Sequence, residues 1–338
     1  CCVTFISGSR KMIFKQTIRY AKIWRNTASI FDKVTIIAAL TVALSSCVSA
    51  QELFEKGVDS EKNNQTLQAE NYYTASIQAD SNFLKSYNNR GLLYLDQGRY
   101  IDAAKDFDTA LTKNPNYSLA LVNRGLVEDK QGNLKSAYSF YQKATVADPK
   151  LLAAQYNAAK ATFELSDTQK SIQYIDSALS IDSKDASVRR LAGRIYFKAG
   201  QYNKAYQFFK ALYEDDSNDE EALISLIEIG RRAGKLQEAI RYAENYSKSK
   251  PTCINCTLMV SSLYLEDNRN DSAISVIESA IDRMPNDASL RYRLGLLYTK
   301  KGDNSKAIAQ LQEFLKLSDD KTSPDIETAK ALIATQKQ

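Results

Sequence analysis

Residues 91–115 read GLLYLDQGRYIDAAKDFDTALTKNP, and 34 residues later residues 125–149 read GLVEDKQGNLKSAYSFYQKATVADP. Gly91 and Gly98 recur as Gly125 and Gly132, Ala103 and Ala110 as Ala137 and Ala144, and Pro115 as Pro149. A period of this length marks a chain built from stacked supersecondary units. Laid out in rows of 34 from Ala50, the chain fills eight rows ending at Lys321, without insertion or deletion.

Four columns carry the pattern. Position 20 reads Ala69, Ala103, Ala137, Ser171, Ala205, Ala239, Ala273 and Ala307, and position 8 is mostly glycine, with Ala159, Ile227 and Ser261 as the departures. Small residues early in two helical segments let an antiparallel pair approach closely. Position 15 reads Asn64, Gly98, Gly132, Ser166, Gly200, Gly234, Asn268 and Gly302, types that favour the left-handed conformation ending a helix. Position 32 carries Pro115, Pro149, Pro251 and Pro285, where the second helix stops. Pro324, after Ser323, opens one more helix whose Ile326, Ala329, Leu332 and Ile333 share a side. Tyr94, Tyr100, Phe107, Tyr196, Tyr202 and Phe209, at positions 11, 17 and 24, are expected in the core.

At these columns the chain resembles the tetratricopeptide repeat family over residues 50–321. The resemblance implies an all-α, right-handed superhelical solenoid of eight helix-turn-helix repeats, 50–83, 84–117, 118–151, 152–185, 186–219, 220–253, 254–287 and 288–321, with residues 322–338 as a capping helix. A single helix pair has no core of its own and buries its apolar face only against its neighbours. The departures are local: row 4 lacks the turn glycine and the position-32 proline, having Ser166 and Ser183, and row 6 has Ile227 and Gly230 where glycine and tyrosine are usual.

The resemblance further implies a concave groove lined by first helices, receiving a partner protein or peptide at positions 2, 5, 6, 9, 12 and 13. Position 6 holds Asn89, Asn123 and Asn157 in consecutive rows. A column of carboxamides offers donors and acceptors to a peptide backbone, and the same side chains can instead brace neighbouring helices. Lys160, then Arg190, Arg194 and Lys198 at helical spacing, then Arg231 and Arg232 form a basic strip suited to acidic side chains or a terminal carboxylate. Glu164 and Glu228 lie among them, so mutual pairing in solvent is the competing reading.

Cys253 and Cys256, in the stretch CINC, lie near a helix start. In an exported protein they form a disulfide worth about 2 kcal/mol for so short a loop; inert reduced thiols and catalytic thiol exchange are the alternatives. Zinc would need two further ligands, and none is suitably spaced. The acidic run YEDDSNDEEA at 213–222 lacks the spacing of a dedicated calcium loop and reads as a solvated turn. The chain contains no histidine, which excludes histidine-dependent acid–base chemistry and histidine-bound metals. With no phosphate-cradling loop and no nucleophile elbow either, no cofactor is called for.

The net charge of +5 resides in the N-terminal stretch: residues 1–46 hold seven basic residues and one acid, leaving 38 basic against 39 acidic residues elsewhere. The body therefore has no overall charge footprint for nucleic acid. After that basic segment, VTIIAALTVAL at 34–44 would make a helix of about 16 Å, short of a hydrocarbon core of roughly 30 Å. Residues 1–49 read as a signal-peptide region, with Met12 a candidate start and the preceding residues an upstream extension. Leu44-Ser45-Ser46-Cys47 resembles a lipobox with Cys47 lipidated, whereas Val48-Ser49-Ala50 before Gln51 resembles an ordinary cleavage site. Either outcome places the body in a bacterial cell envelope, facing the periplasm or secreted, with membrane attachment only through the N-terminus. Three functions follow as expectations: a protein-binding scaffold in an envelope assembly, secretion or wall-processing complex, thiol–disulfide exchange at Cys253 and Cys256, or a structural spacer.

Overall fold

The computed structural model describes residues 48–320 and 322–336; the signal-peptide region with Cys47 lies outside them. The described residues form helices and no strand. Each repeat has a first helix beginning at position 1 and a second beginning at position 17. They are α1 (Ala50–Lys62) and α2 (Thr66–Ala79), α3 (Leu84–Asp96) and α4 (Tyr100–Lys113), α5 (Ser118–Lys130) and α6 (Leu134–Ala147), α7 (Leu152–Glu164) and α8 (Thr168–Ile181), α9 (Ala186–Lys198) and α10 (Tyr202–Asp215), α11 (Glu220–Arg232) and α12 (Leu236–Ser249), α13 (Ile254–Glu266) and α14 (Asn270–Arg283), and α15 (Ala288–Lys301) and α16 (Asn304–Leu317). A last helix, α17, spans Pro324–Gln336. All eight residues of the turn column have positive φ, Ser166 at 62° and Asn268 at 59° included, so the turn geometry survives where glycine is missing.

The helices divide into two compact units, the first ending at Leu165 and the second beginning at Ser166. The first contains α1 to α7 and the second α8 to α17. Within each, successive helices pack on one another in chain order. In the first unit the first helices also touch, α3 with α5 and α5 with α7, so they form its more crowded face. In the second, α17 lays Ile326 and Ala329 against Leu311 and Phe314 of α16.

The small column at position 8 is explained by position 24. A Cβ placed on Gly57, Gly91, Gly125 or Gly193 would come within 2.5–2.6 Å of the ring of Tyr73, Phe107, Tyr141 or Phe209 respectively, and one on Gly295 within 2.6 Å of Leu311. These position-24 side chains are all but fully buried, each worth about 2 kcal/mol of apolar burial. The vacancy at position 8 is thus filled by a side chain sixteen residues later, while the position-20 alanines lie completely buried beside it. Repeat six reverses the pair: Ile227 stands at position 8, Ala243 at position 24, and both belong to one core cluster. Gly230 serves a different fit, leaving its Cβ site 3.0 Å from the ring of Tyr206. Tyr100 and Tyr202 depart from the core expectation, since position 17 opens the second helix and leaves both rings only partly buried.

Ser49 caps α1 through a capping box with Glu52, and beyond it the residue before each first helix differs between the units. In the second unit Asp185, Asp219 and Asp287 accept from the backbone N–H three residues on, satisfying an otherwise orphaned donor. Cys253 occupies the same row position and is disulfide-bonded to Cys256 at the start of α13. In the first unit the corresponding Phe83, Tyr117 and Leu151 make no side-chain cap. Phe83 instead packs edge-on against Phe54, 5.4 Å between ring centroids.

If the 8/24 fit sets stability, Ile227→Gly should cost about 3 kcal/mol by opening a cavity, and Ala243→Phe about 2 kcal/mol by overpacking. The double variant should recover more than half of the summed loss in urea unfolding, whereas additive losses would show that the two positions do not share one space.

Candidate functional site

The residues expected to line a groove all lie on first helices, and several of them fasten one first helix to the next. In the first unit, Asn123 Nδ2 donates to Asn88 Oδ1 at 2.8 Å, joining α5 to α3. Lys160 Nζ lies 3.3 Å from Asp129 Oδ2, joining α7 to α5, and 3.9 Å from Glu164 on its own helix. In the second unit Arg190 of α9 pairs with Asp219 and with Glu221 of α11. Arg231 of α11 pairs with Glu266 of α13 and with Glu228, and Arg293 of α15 donates to Ser262 of α13 at 3.2 Å. The Arg190 guanidinium holds the Asp219 carboxyl below its ordinary range, and the carboxylate in turn raises the arginine. These charges therefore reinforce the stack while standing on its first-helix face.

The asparagine column splits into three environments, and the residue at position 24 of the preceding repeat accompanies the difference. Asn89 Nδ2 donates to the Tyr73 hydroxyl at 3.4 Å, and that hydroxyl donates to Glu61. Asn123 follows Phe107, which has no hydroxyl, and bonds Asn88 instead. Asn157 follows Tyr141 but donates to Ala153 O of its own helix at 2.8 Å, and the buried Tyr141 hydroxyl has no hydrogen-bond partner among the described residues. Asn89 and Asn157 are partly exposed and Asn123 is buried. A uniform ladder would need equal surroundings at each step, and these three differ.

Arg194 and Lys198 are exposed on α9; Lys198 Nζ donates to Ser166 Oγ at 3.1 Å. Two exposed apolar side chains stand at groove positions, Leu119 at position 2 of repeat three and Ile224 at position 5 of repeat six. Asn88, Glu266 and Arg293 were not singled out from sequence, and Asp219 stood only within the acidic run 213–222. Their signal is an offset close to one repeat: 35 residues for Asn88 with Asn123 and for Arg231 with Glu266, 31 for Arg293 with Ser262, and 29 for Arg190 with Asp219.

A second set of fasteners runs from position 11. The hydroxyls of Tyr196, Tyr264 and Tyr298 donate to Asp176, Glu244 and Glu278, each at position 25 of the repeat before, and Tyr94 donates to Glu70 at 2.9 Å. Burial first, and the carboxylate partner second, push Tyr94 and Tyr298 up to about 12.

With this geometry in hand, family models described as tetratricopeptide repeat match residues 88–151, 162–228 and 264–333, more than half of the chain. The chain belongs to the tetratricopeptide repeat family. No curated protein sequence matches it. Among solved structures, the pilF protein of Pseudomonas aeruginosa is 15% identical, aligns over 64% of this chain and 97% of its own, and has a TM-score of 0.54. PilW, described as a widely conserved type IV pilus biogenesis factor, is 16% identical over 63% and 97%, with a TM-score of 0.52. A tetratricopeptide repeat protein from Parabacteroides merdae is 19% identical over 75% and 99%, with a TM-score of 0.46. At these identities the likeness is one of fold. No helix of the described residues is long and apolar enough to cross a membrane.

The raised tyrosines set an alkaline limit. A phenol held above its ordinary value near 10 adds stability that is complete below pH 10 and lost as pH rises toward 12. Tyr298→Phe removes the titrating group, so the difference in urea midpoint between the parent and this variant should change between pH 10 and 12 and be constant from pH 7 to 9.

Proposed function

We propose that this tetratricopeptide chain is a non-catalytic scaffold that holds a partner polypeptide against the first-helix faces of its units. The observation that carries the reading is the exposure of Leu119 and Ile224, 43% each, at groove positions on first helices. Covering such a side chain gains apolar burial, and the ion pairs elsewhere on these helices need not be broken to do so. Asn89, Asn157 and Arg194 stand on the same first-helix faces and supply polar contacts. Asn123, Lys160, Arg190 and Arg231 contribute through the fasteners described above and through the edges they leave exposed; Lys198 does so at the end of α9.

The cellular setting is proposed on the N-terminal sequence, with export by a signal peptide, lipidation at Cys47 and a periplasm-facing envelope complex. Likeness of fold to PilW, a pilus biogenesis factor, agrees with an assembly role of this kind. The disulfide between Cys253 and Cys256 suits an oxidising compartment. It occupies the row position of an aspartate cap, and Cys256 is buried, which favours a structural bond over thiol exchange.

Two measurements test the reading. Photo-crosslinking from positions 119 and 224 in cells should trap a partner, and Arg194→Glu with Ile224→Lys should reduce its capture about tenfold while far-UV circular dichroism stays unchanged; undiminished capture would overturn the binding face and leave a structural spacer. Mass spectrometry of the mature N-terminus should show a lipid-modified Cys47. A free Gln51 would instead establish ordinary cleavage.

A further inference from the structure

On the side of the second unit formed by its second helices, a trench of about 820 Å³ lies between α12 and α14, with α13 beneath it. Its wall on α14 is made of Ser272, Ser275 and Ser279, and its floor of Val260, Tyr264 and Val276. The opening is written into the sequence. Positions 19, 22 and 26 are all serine in α14, whereas every other described second helix has at least one long or charged side chain at these three places. Ser177 and Ser180 of α8 bond back to carbonyls of their own helix, whereas among the described residues the three serines of the trench wall make no such bond.

Dimensions select the occupant. Along α14 the lining runs from Asp271 to Arg283, about 18 Å at the helical rise. That length accommodates about five residues of extended chain at 3.2–3.4 Å per residue. Charge selects further. The two carboxylates that line the trench are engaged, Asp271 with Lys301 and Glu244 with the Tyr264 hydroxyl. Lys248 and Arg283 line the trench too, and neither makes an ion pair among the described residues; Arg283 Nε donates to Pro251 O at 3.2 Å.

We propose that this trench is a second binding site, independent of the first-helix faces, for an extended polypeptide segment of about five residues whose acidic side chain meets Lys248 and Arg283. Alternate side chains of such a strand face the Val260–Tyr264–Val276 floor, and the serine hydroxyls bond its backbone.

An array of pentapeptides in which one aspartate is moved through an alanine, valine and threonine background supplies the probe, with fluorescence anisotropy on the full chain as the measurement. Binding should require the aspartate and weaken about tenfold in Lys248→Glu and in Arg283→Glu, the loss of one charge-assisted contact. Ser275→Trp and, separately, Ser279→Trp should abolish it by filling the trench, Ser275→Ala should retain it, and circular dichroism checks the fold of each. Arg194→Glu, on the first-helix face, should leave it unchanged, which separates this site from the one proposed above. Absence of any peptide binding, binding that survives both tryptophans, or binding only of an N-acetylglucosamine tetramer would each overturn the proposal.

Discussion

A side chain at position 24 must occupy the space that position 8 leaves sixteen residues earlier, and the remainder of the architecture rests on that fit. A hairpin of two helices three to four turns long has no interior, so its largest buried side chain must be accommodated where the helices cross. Five glycines meet a ring or a leucine there, and repeat six reaches the same filling with the sizes exchanged. What the repeat preserves is the summed volume at the crossing more than the identity of either residue. Once the crossing is fixed, the turn residue at position 15 of each repeat adopts a positive φ, and the following repeat inherits the register.

Polar side chains act one level above this packing. Tyrosine to carboxylate bonds tie position 11 to the second helix of the preceding repeat, and amide and guanidinium groups tie first helices to each other. Each bond spans a repeat boundary, where the apolar surface alone permits sliding. Directional bonds specify the offset at modest net energy. A groove residue in such an array therefore has two roles, and a variant that removes it changes the curvature of the face together with its chemistry. Arg190 illustrates this, since its guanidinium bridges to Asp219 and Glu221.

The period, the helix boundaries and the turns were legible in sequence because they depend on local backbone preferences repeated eight times. Even Ser166 and Asn268 could be placed by register alone. The purpose of Ile227 was not legible: its partner Ala243 looks ordinary until position 24 is read as a column in its own right. The asparagine column looked uniform, yet the presence or absence of a hydroxyl on Tyr73, Phe107 and Tyr141 accompanies different bonds at each member. The trench was missed for a related reason. It is made by bulk that is lacking at three positions of one helix, and serine on a helix surface carries no signal until the neighbouring helix is known to stand away from it.

Past Ser49, which caps α1, the two units also differ in how they begin their first helices. Phe83, Tyr117 and Leu151 bring apolar surface to the repeat boundaries of the first unit, whereas aspartates cap the helices of the second and keep its boundaries polar. Repeat seven meets the same requirement with a covalent bond. The disulfide constrains that helix start without adding a negative charge two residues from Pro251, at the edge of the proposed trench.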